Sequence, residues 1–300
     1  MSEEKMNQVI LVKPYISENE FEEIRELEEL CYSVDKTNLK LELNFKLNKS
    51  KKPSKDFEYN NEFLCYVEDE LVGYLGVCSF GGKKIAEING MVHPNFRRMG
   101  IFKKLLEHAV IACNKSNYDK ILLLSDGRSN SGVGFINSVS GAYDFSEYRM
   151  KRSDESSFEQ SNVISLRKAN NSDGKEIVRQ NAIYFNQAVI GECFPEEEEL
   201  LNQITYMVEL KGNIIGKIKV NYGKTTSFIC GVGILPDYRS KGYGKETLKE
   251  ALRIINEKNI YEAMLDVECK NNDALNLYKA CGFEEQSVMN YYDLPLLNDL

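Results

Sequence analysis

One short pattern occurs twice in this chain and limits what either half can become. The better copy reads Ile234-Leu-Pro236-Asp-Tyr238-Arg239-Ser240-Lys241-Gly242-Tyr243-Gly244 and runs into a helix-forming stretch from Lys245. The poorer copy lies 142 positions earlier, as Val92-His-Pro94-Asn-Phe96-Arg97-Arg98-Met-Gly100-Ile-Phe102, and a helical stretch follows it too. Each copy joins the end of a strand, a turn rich in glycine and cations, and the start of a helix. The first backbone N–H groups of a helix have no partner within it, and together with the helix dipole they favour negative charge. The pattern predicts one anion-binding helix start per half and marks the chain as an internal duplication.

A length of 300 residues fits two domains, each large enough to bury a core. The polar, aperiodic stretch Ser153–Asn162 reads as the linker. The expected division is thus an N-terminal domain at 1–152, a linker at 153–162 and a C-terminal domain at 163–300. No apolar run reaches the roughly 18 residues of a membrane span, and the start Met1-Ser-Glu-Glu-Lys-Met6 lacks the apolar segment of a signal peptide. A cytoplasmic protein without a membrane partner is expected. The net charge of −8 argues against a nucleic-acid partner.

Eight cysteines are present, none in a C-x-x-C pair, and the only histidines are His93 and His108. Reduced, buried thiols and no metal site are expected.

The elements repeat in order. Strands are predicted at Gln8–Val12, Phe63–Val67, Leu71–Ser79, Ile85–Val92 and Ile121–Leu124, with helices after Ser17 and at Phe102–Asn114. A polar, lysine-containing loop is expected at Asn48–Asn61. In the second half, strands are predicted at Val163–Lys168, Thr205–Leu210, Ile214–Val220, Thr226–Ile234, Ala263–Val267 and Val288–Leu294. Helices are predicted from a Ser172 cap to Tyr184, at Lys245–Asn259 and at Asp273–Ala280, the last stopped by Gly282. The last helix and strand of the first half are poorly defined. Pro195-Glu-Glu-Glu-Glu199 reads as a helix start with proline first and acids in the first turn.

A second motif follows the better copy: Asn271-x-x-Ala274-x-x-Leu-Tyr278-x-x-x-Gly282-Phe283. Together the two motifs resemble the GNAT superfamily of N-acetyltransferases over most of residues 163–293, and the first half resembles it through its first motif and strand order. The resemblance implies an α+β fold of two tandem GNAT-like (acyl-CoA N-acyltransferase) domains, each a mixed, mainly antiparallel twisted sheet flanked by helices. It also implies transfer of acetyl from acetyl-CoA, as co-substrate, to a small-molecule amine or a peptide, with no metal. The two halves are expected to be able to pair as an intramolecular pseudo-dimer.

On this reading Arg239, Ser240, Lys241, Gly242, Tyr243 and Gly244 hold the CoA pyrophosphate, through backbone N–H groups beside Gly242 and Gly244 and through the charges of Arg239 and Lys241. The resemblance implies that Val232, Gly233 and Ile234 present strand backbone to pantetheine and the acetyl carbonyl, and that Asn271 also binds the cofactor. It places the Tyr278 hydroxyl near the CoA sulfur, where it can protonate the leaving thiolate. Asp266 and Glu268 share one face of their strand, and either can take the acceptor's proton. In the poorer copy Val92, Arg97, Arg98 and Gly100 are the corresponding cofactor residues, but Phe102 replaces the last glycine and Ile136 stands nearest the tyrosine's place. The C-terminal domain is therefore expected to be the catalytic one. The alternatives are a non-catalytic acyl-CoA-binding or scaffold protein, or an enzyme that uses a longer acyl-CoA.

Overall fold

The computed structural model describes residues 7–50, 61–80, 84–156, 158–185 and 193–295. The expected polar start, most of the lysine-containing loop and Ser157 of the expected linker lie outside the described residues.

In chain order the elements are β1 (Gln8–Lys13), α1 (Glu18–Asp35), α2 (Leu43–Ser50), β2 (Glu62–Val67), β3 (Glu70–Cys78), β4 (Ile85–Val92), α3 (Ile101–Lys115), β5 (Lys120–Asp126), α4 (Asn130–Ser138) and β6 (Ala142–Ser153). There follow β7 (Ser165–Lys168), α5 (Gly174–Phe185), α6 (Pro195–Glu199), β8 (Gln203–Leu210), β9 (Asn213–Tyr222), β10 (Thr226–Ile234), α7 (Tyr243–Asn256), β11 (Glu262–Glu268), α8 (Asn272–Lys279) and β12 (Glu284–Leu294).

The chain forms two compact units, 1–146 with 289–300, and 147–288. In the first, β1 to β5 lie in sequence order; β4 and β5 run parallel and the earlier neighbours antiparallel. The strand that completes this sheet is the end of β12, whose Met289–Leu294 runs antiparallel to Ile121–Asp126 of β5. In the second unit β7 to β11 repeat the order, with β10 and β11 parallel, and the end of β6 completes the sheet by pairing antiparallel with β11. The closing strand of each unit therefore comes from the sequence half that builds the other. This departs from the expected division, which kept 289–300 with the second half. The pairing that moves the boundary joins residues more than 160 positions apart and leaves no local trace in the sequence.

Each unit packs a helix after its turn against the sheet. Helix α7 buries Leu248, Ala251, Leu252 and Ile255 against Ile218, Val220 and Ile229. That spacing is one helical face, and burying each large side chain contributes about 1.5–3 kcal/mol. Helix α3 does the same with Leu105, Leu106, Ala109 and Val110. Helix α1 starts at a full capping box between Ser17 and Glu20, as expected. The expected Ser172 cap is corrected to Asn170, which shares a capping box with Asp173 in the short turn that leads into α5. In α6 three of the four acids are engaged: Glu196 holds Asn171, Glu198 pairs with Lys219, and Glu199 pairs with Lys168. Cys31, Cys65, Cys78, Cys113 and Cys281 are buried, and Cys193, Cys230 and Cys269 are half-buried. Among the described residues no helix is long and apolar enough to cross a membrane.

Candidate functional site

In the second unit β10 and β11 part. Their parallel register holds at Thr226–Glu262, Ser227–Ala263 and Phe228–Met264, yet β10 continues to Ile234 and β11 to Glu268. On its other edge β10 stays paired with β9, through a register shift between Cys230 and Gly233. Gly231 makes that bulge with φ +60°, a left-handed conformation that costs a residue with Cβ about 1–2 kcal/mol. Past Phe228, therefore, β10 turns a stretch of backbone toward β11 that lies outside their ladder. Val232, Gly233 and Ile234 fall in this stretch. The distorting residue, however, is Gly231. Gly233 serves a different purpose: a Cβ there would lie 2.1–2.6 Å from the Tyr184 ring, so its absence lets that ring lie on the strand.

The turn after β10 is held from within. Arg239 donates from Nε to the Ile234 carbonyl at 2.9 Å, and its guanidinium lies 5.9 Å from the Tyr184 ring centroid. Lys241 donates to the Asp237 carbonyl at 2.8 Å. Ser240 and Gly242 are left-handed, at φ +60° and +84°, and Gly242 caps α7 without a side chain. The α7 start, with Tyr243 and Gly244 as its first residues, therefore carries no side-chain cap. Tyr243 is half-buried against the cluster of Ile164, Val208, Ile215 and Ile234, with its ring 6.5 Å from that of Tyr238.

Tyr278 sits on α8, 9% exposed, with its ring 6.1 Å from that of Phe283. Gly282, at φ +86°, ends this helix, and the Phe283 N–H returns to the Tyr278 carbonyl. Burial, with a smaller contribution from Cys230, pushes the Tyr278 hydroxyl up to about 12. It stays protonated at neutral pH and available as a donor. Asn271 caps α8: its side-chain oxygen accepts from the Ala274 N–H at 3.2 Å. That contact explains Asn271 without a ligand.

The two acids differ. Asp266 accepts from Arg149 at both oxygens, Nε and the second terminal nitrogen each at 2.9 Å. A carboxylate held in a bidentate guanidinium fork is stabilised as the anion and is a poor proton acceptor. This fork argues against Asp266 as the group that takes the acceptor's proton. Glu268 ends β11 and is exposed.

The first unit repeats the layout. Pairing of β4 with β5 ends at Ile88–Leu123, while β4 continues to Val92 and β5 to Asp126. Arg98 and Gly100 are left-handed, matching Ser240 and Gly242, and Arg97 donates to the Val92 carbonyl as Arg239 does to that of Ile234. Val92, Arg97, Arg98 and Gly100 line one cavity of about 550 Å³ with Gly90, Phe135 and Ile136. Two features set this copy apart. Arg97 is clamped at both terminal nitrogens by Asp35, at 2.8 and 2.6 Å, so its charge is already met. On α4, Ile136 holds the place of Tyr278 and offers no proton.

Sequence reasoning missed three residues of the second unit: Gly231, Tyr184 and Lys217. Gly231-Val232-Gly233 carries a local signal, since two glycines in one strand predict a bulge, but it does not say which of them takes the left-handed conformation. Tyr184 and Lys217 reach the strand through folding alone.

The family model described as "Acetyltransferase (GNAT) family" matches residues 21–132 and again 176–283. A GCN5-related N-acetyltransferase from Sphaerobacter thermophilus superposes with a TM-score of 0.75 at 15% identity, covering 95% of each chain. A tandem GNAT protein from the clavulanic acid biosynthesis pathway gives 0.70 at 12% identity, covering 96% of this chain and 98% of that one. These similarities show the fold. An N-alpha-acetyltransferase from Sulfurisphaera tokodaii is 24% identical over 140 residues, 42% of this chain and 84% of that relative.

Proposed function

This chain belongs to the GNAT acetyltransferase family, and from that premise we propose that its second unit transfers acetyl from acetyl-CoA to a primary amine by direct attack in a ternary complex. The observation that carries the reading is the parting of β10 from β11 after Phe228–Met264, with an open helix start at one end of the gap and Tyr278 on the helix that follows β11.

The α7 start, with Arg239 and Lys241, would hold the pyrophosphate of the donor. The backbone of Val232–Ile234 would align pantetheine and direct an N–H at the acetyl oxygen, where charge develops during attack. The amine nitrogen bonds to the carbonyl carbon, the C–S bond breaks, and Tyr278 donates to the departing sulfur. A thiolate in a buried site is more basic than in water, which draws the phenol proton toward it. Asn271 acts here through the fold, by starting α8. The relatives named as N-alpha-acetyltransferases favour an α-amine among possible acceptors. The acceptor is tested by acetyl transfer over a panel of peptides and small amines, with product mass and released thiol both read.

A second reading applies to the first unit alone. Its cavity and uncapped α3 start favour binding of an acyl-CoA there, more weakly than in the second unit because Asp35 neutralises Arg97, and without turnover because Ile136 replaces the acid. Calorimetry tests it: two acetyl-CoA equivalents per chain support it, and a single equivalent removed by a change at Gly242 contradicts it.

A further inference from the structure

We propose that Lys217 is the base that takes the proton from the acceptor amine in the second unit, an inference that rests on the transfer reading above. Lys217 is on β9, where it pairs with Gly233, and its side chain is 3% exposed. Nζ donates to the Gly231 carbonyl at 3.1 Å, so the amine touches the bulge backbone itself. The Tyr184 and Phe185 ring centroids lie 5.9 and 5.6 Å from Nζ. Among the described residues no carboxylate forms an ion pair with it; the nearby Glu198 is paired with Lys219. A buried, unpaired ammonium is costly, and the neutral amine avoids that cost.

The groups facing Lys217 are Cys230 on β10, Lys219 on its own strand, Cys193 and Glu198 on the segment leading into and through α6, and Tyr184 on α5. Burial dominates among them and lowers the lysine to about 8, with Cys230 opposing. In the first unit the position paired with Met91, which precedes Gly233 by 142 residues, is Tyr74, whose hydroxyl is given to Glu62. The unit without a Tyr278 equivalent thus also lacks the lysine.

The protons balance. An acceptor ammonium gives its first proton to Nζ, and its lone pair then forms the C–N bond as the C–S bond breaks. A further N–H proton replaces, through solvent, the one Tyr278 gives to sulfur. Lys217 returns its proton to water.

The test compares wild type, Lys217→Arg and Lys217→Met, using acetyl-CoA and the best amine of the panel. Both variants are expected to lose about 100-fold or more in kcat/KM for the amine, as for a removed general base. Acetyl-CoA affinity should hold within a few-fold, and the acid limb of the wild-type pH profile should vanish. A Lys217→Arg enzyme with the wild-type rate and profile overturns the proposal, since charge alone then suffices. If the wild type binds acetyl-CoA but acetylates no amine, the transfer reading falls and the base with it. Should the variants misfold, trace labelling of the wild type with acetic anhydride across pH, read by peptide mass, decides. A Lys217 midpoint below those of the other lysines supports the proposal, and an ordinary midpoint overturns it.

Discussion

Phe228 faces Met264 at the last paired position of β10 and β11, and beyond this pair the two strands run on without a shared ladder. Beside it, Arg149 lies 5.8 Å from the Phe228 ring and grips Asp266. The pair marks where structural sheet ends and the proposed donor site begins.

Tyr278→Phe removes the hydroxyl and keeps the ring that packs on Phe283. Turnover is expected to fall about 100-fold or more while acetyl-CoA binds with unchanged affinity. Steady-state thiol release and calorimetry on the same samples check this; unchanged turnover takes Tyr278 out of the chemistry.

Gly242→Glu places bulk and negative charge at the α7 cap, in a conformation at φ +84°. Acetyl-CoA binding to the second unit should be lost, with stability reduced by about 1–2 kcal/mol. Normal affinity by calorimetry would rule out this turn as the pyrophosphate site.

Much of this was legible. The duplicated turn and its helix start depend on glycine, proline and cations close in sequence, so residues 92–102 and 234–244 announce themselves. The end of the Tyr278 helix could be read because Gly282 stops it, whereas the cap that Asn271 makes is seen only in the fold. What could not be read depends on distance along the chain. Arg149 reaches Asp266 from 117 residues away, and that pairing ties up a candidate base. The exchange of closing strands is similar, since β6 and β12 pair outside the sequence halves in which they lie. Asn170 and Ser172 are both good caps, and only the geometry selects the first.

Asp266→Asn keeps the shape and weakens the Arg149 fork. Its main effect should be on stability, a loss of about 1–3 kcal/mol because a guanidinium is left underpaired. At saturating substrates, turnover should stay within a few-fold of wild type. Denaturant unfolding with parallel kinetics separates the two effects, and a hundredfold loss of turnover in a stable variant would return Asp266 to the mechanism.

Gly233→Ala drives a methyl group into the Tyr184 ring. It should destabilise by about 1–3 kcal/mol, as overpacking does, and Tyr184→Ala in the same chain should relieve the collision. Unfolding of the single and double variants gives the coupling directly; additive losses would mean that the ring does not lie on this strand.

Lys217 makes a pH-dependent contribution whose sign is fixed. Its folded value, about 8, lies below the ordinary 10.5, so the unfolded chain binds more protons between those values. Stability must therefore rise with pH through this window, and the penalty, roughly 3 kcal/mol in full, is present below pH 8. Wild type and Lys217→Met compared by thermal unfolding from pH 7 to 10 should converge as pH rises, the variant being favoured at the low end. Parallel curves would place no titration at Lys217 in that range.

The central claim is acetyl transfer by the second unit, and single-turnover transfer measures it most directly. Chain charged with acetyl-CoA is mixed with the amine panel, and acetylated product is followed by mass alongside released thiol. The account predicts stoichiometric product with the wild type, slow transfer with Tyr278→Phe, and wild-type transfer when the first unit's turn is disabled by Gly100→Glu. Transfer that survives Gly242→Glu but is lost with Gly100→Glu would contradict it.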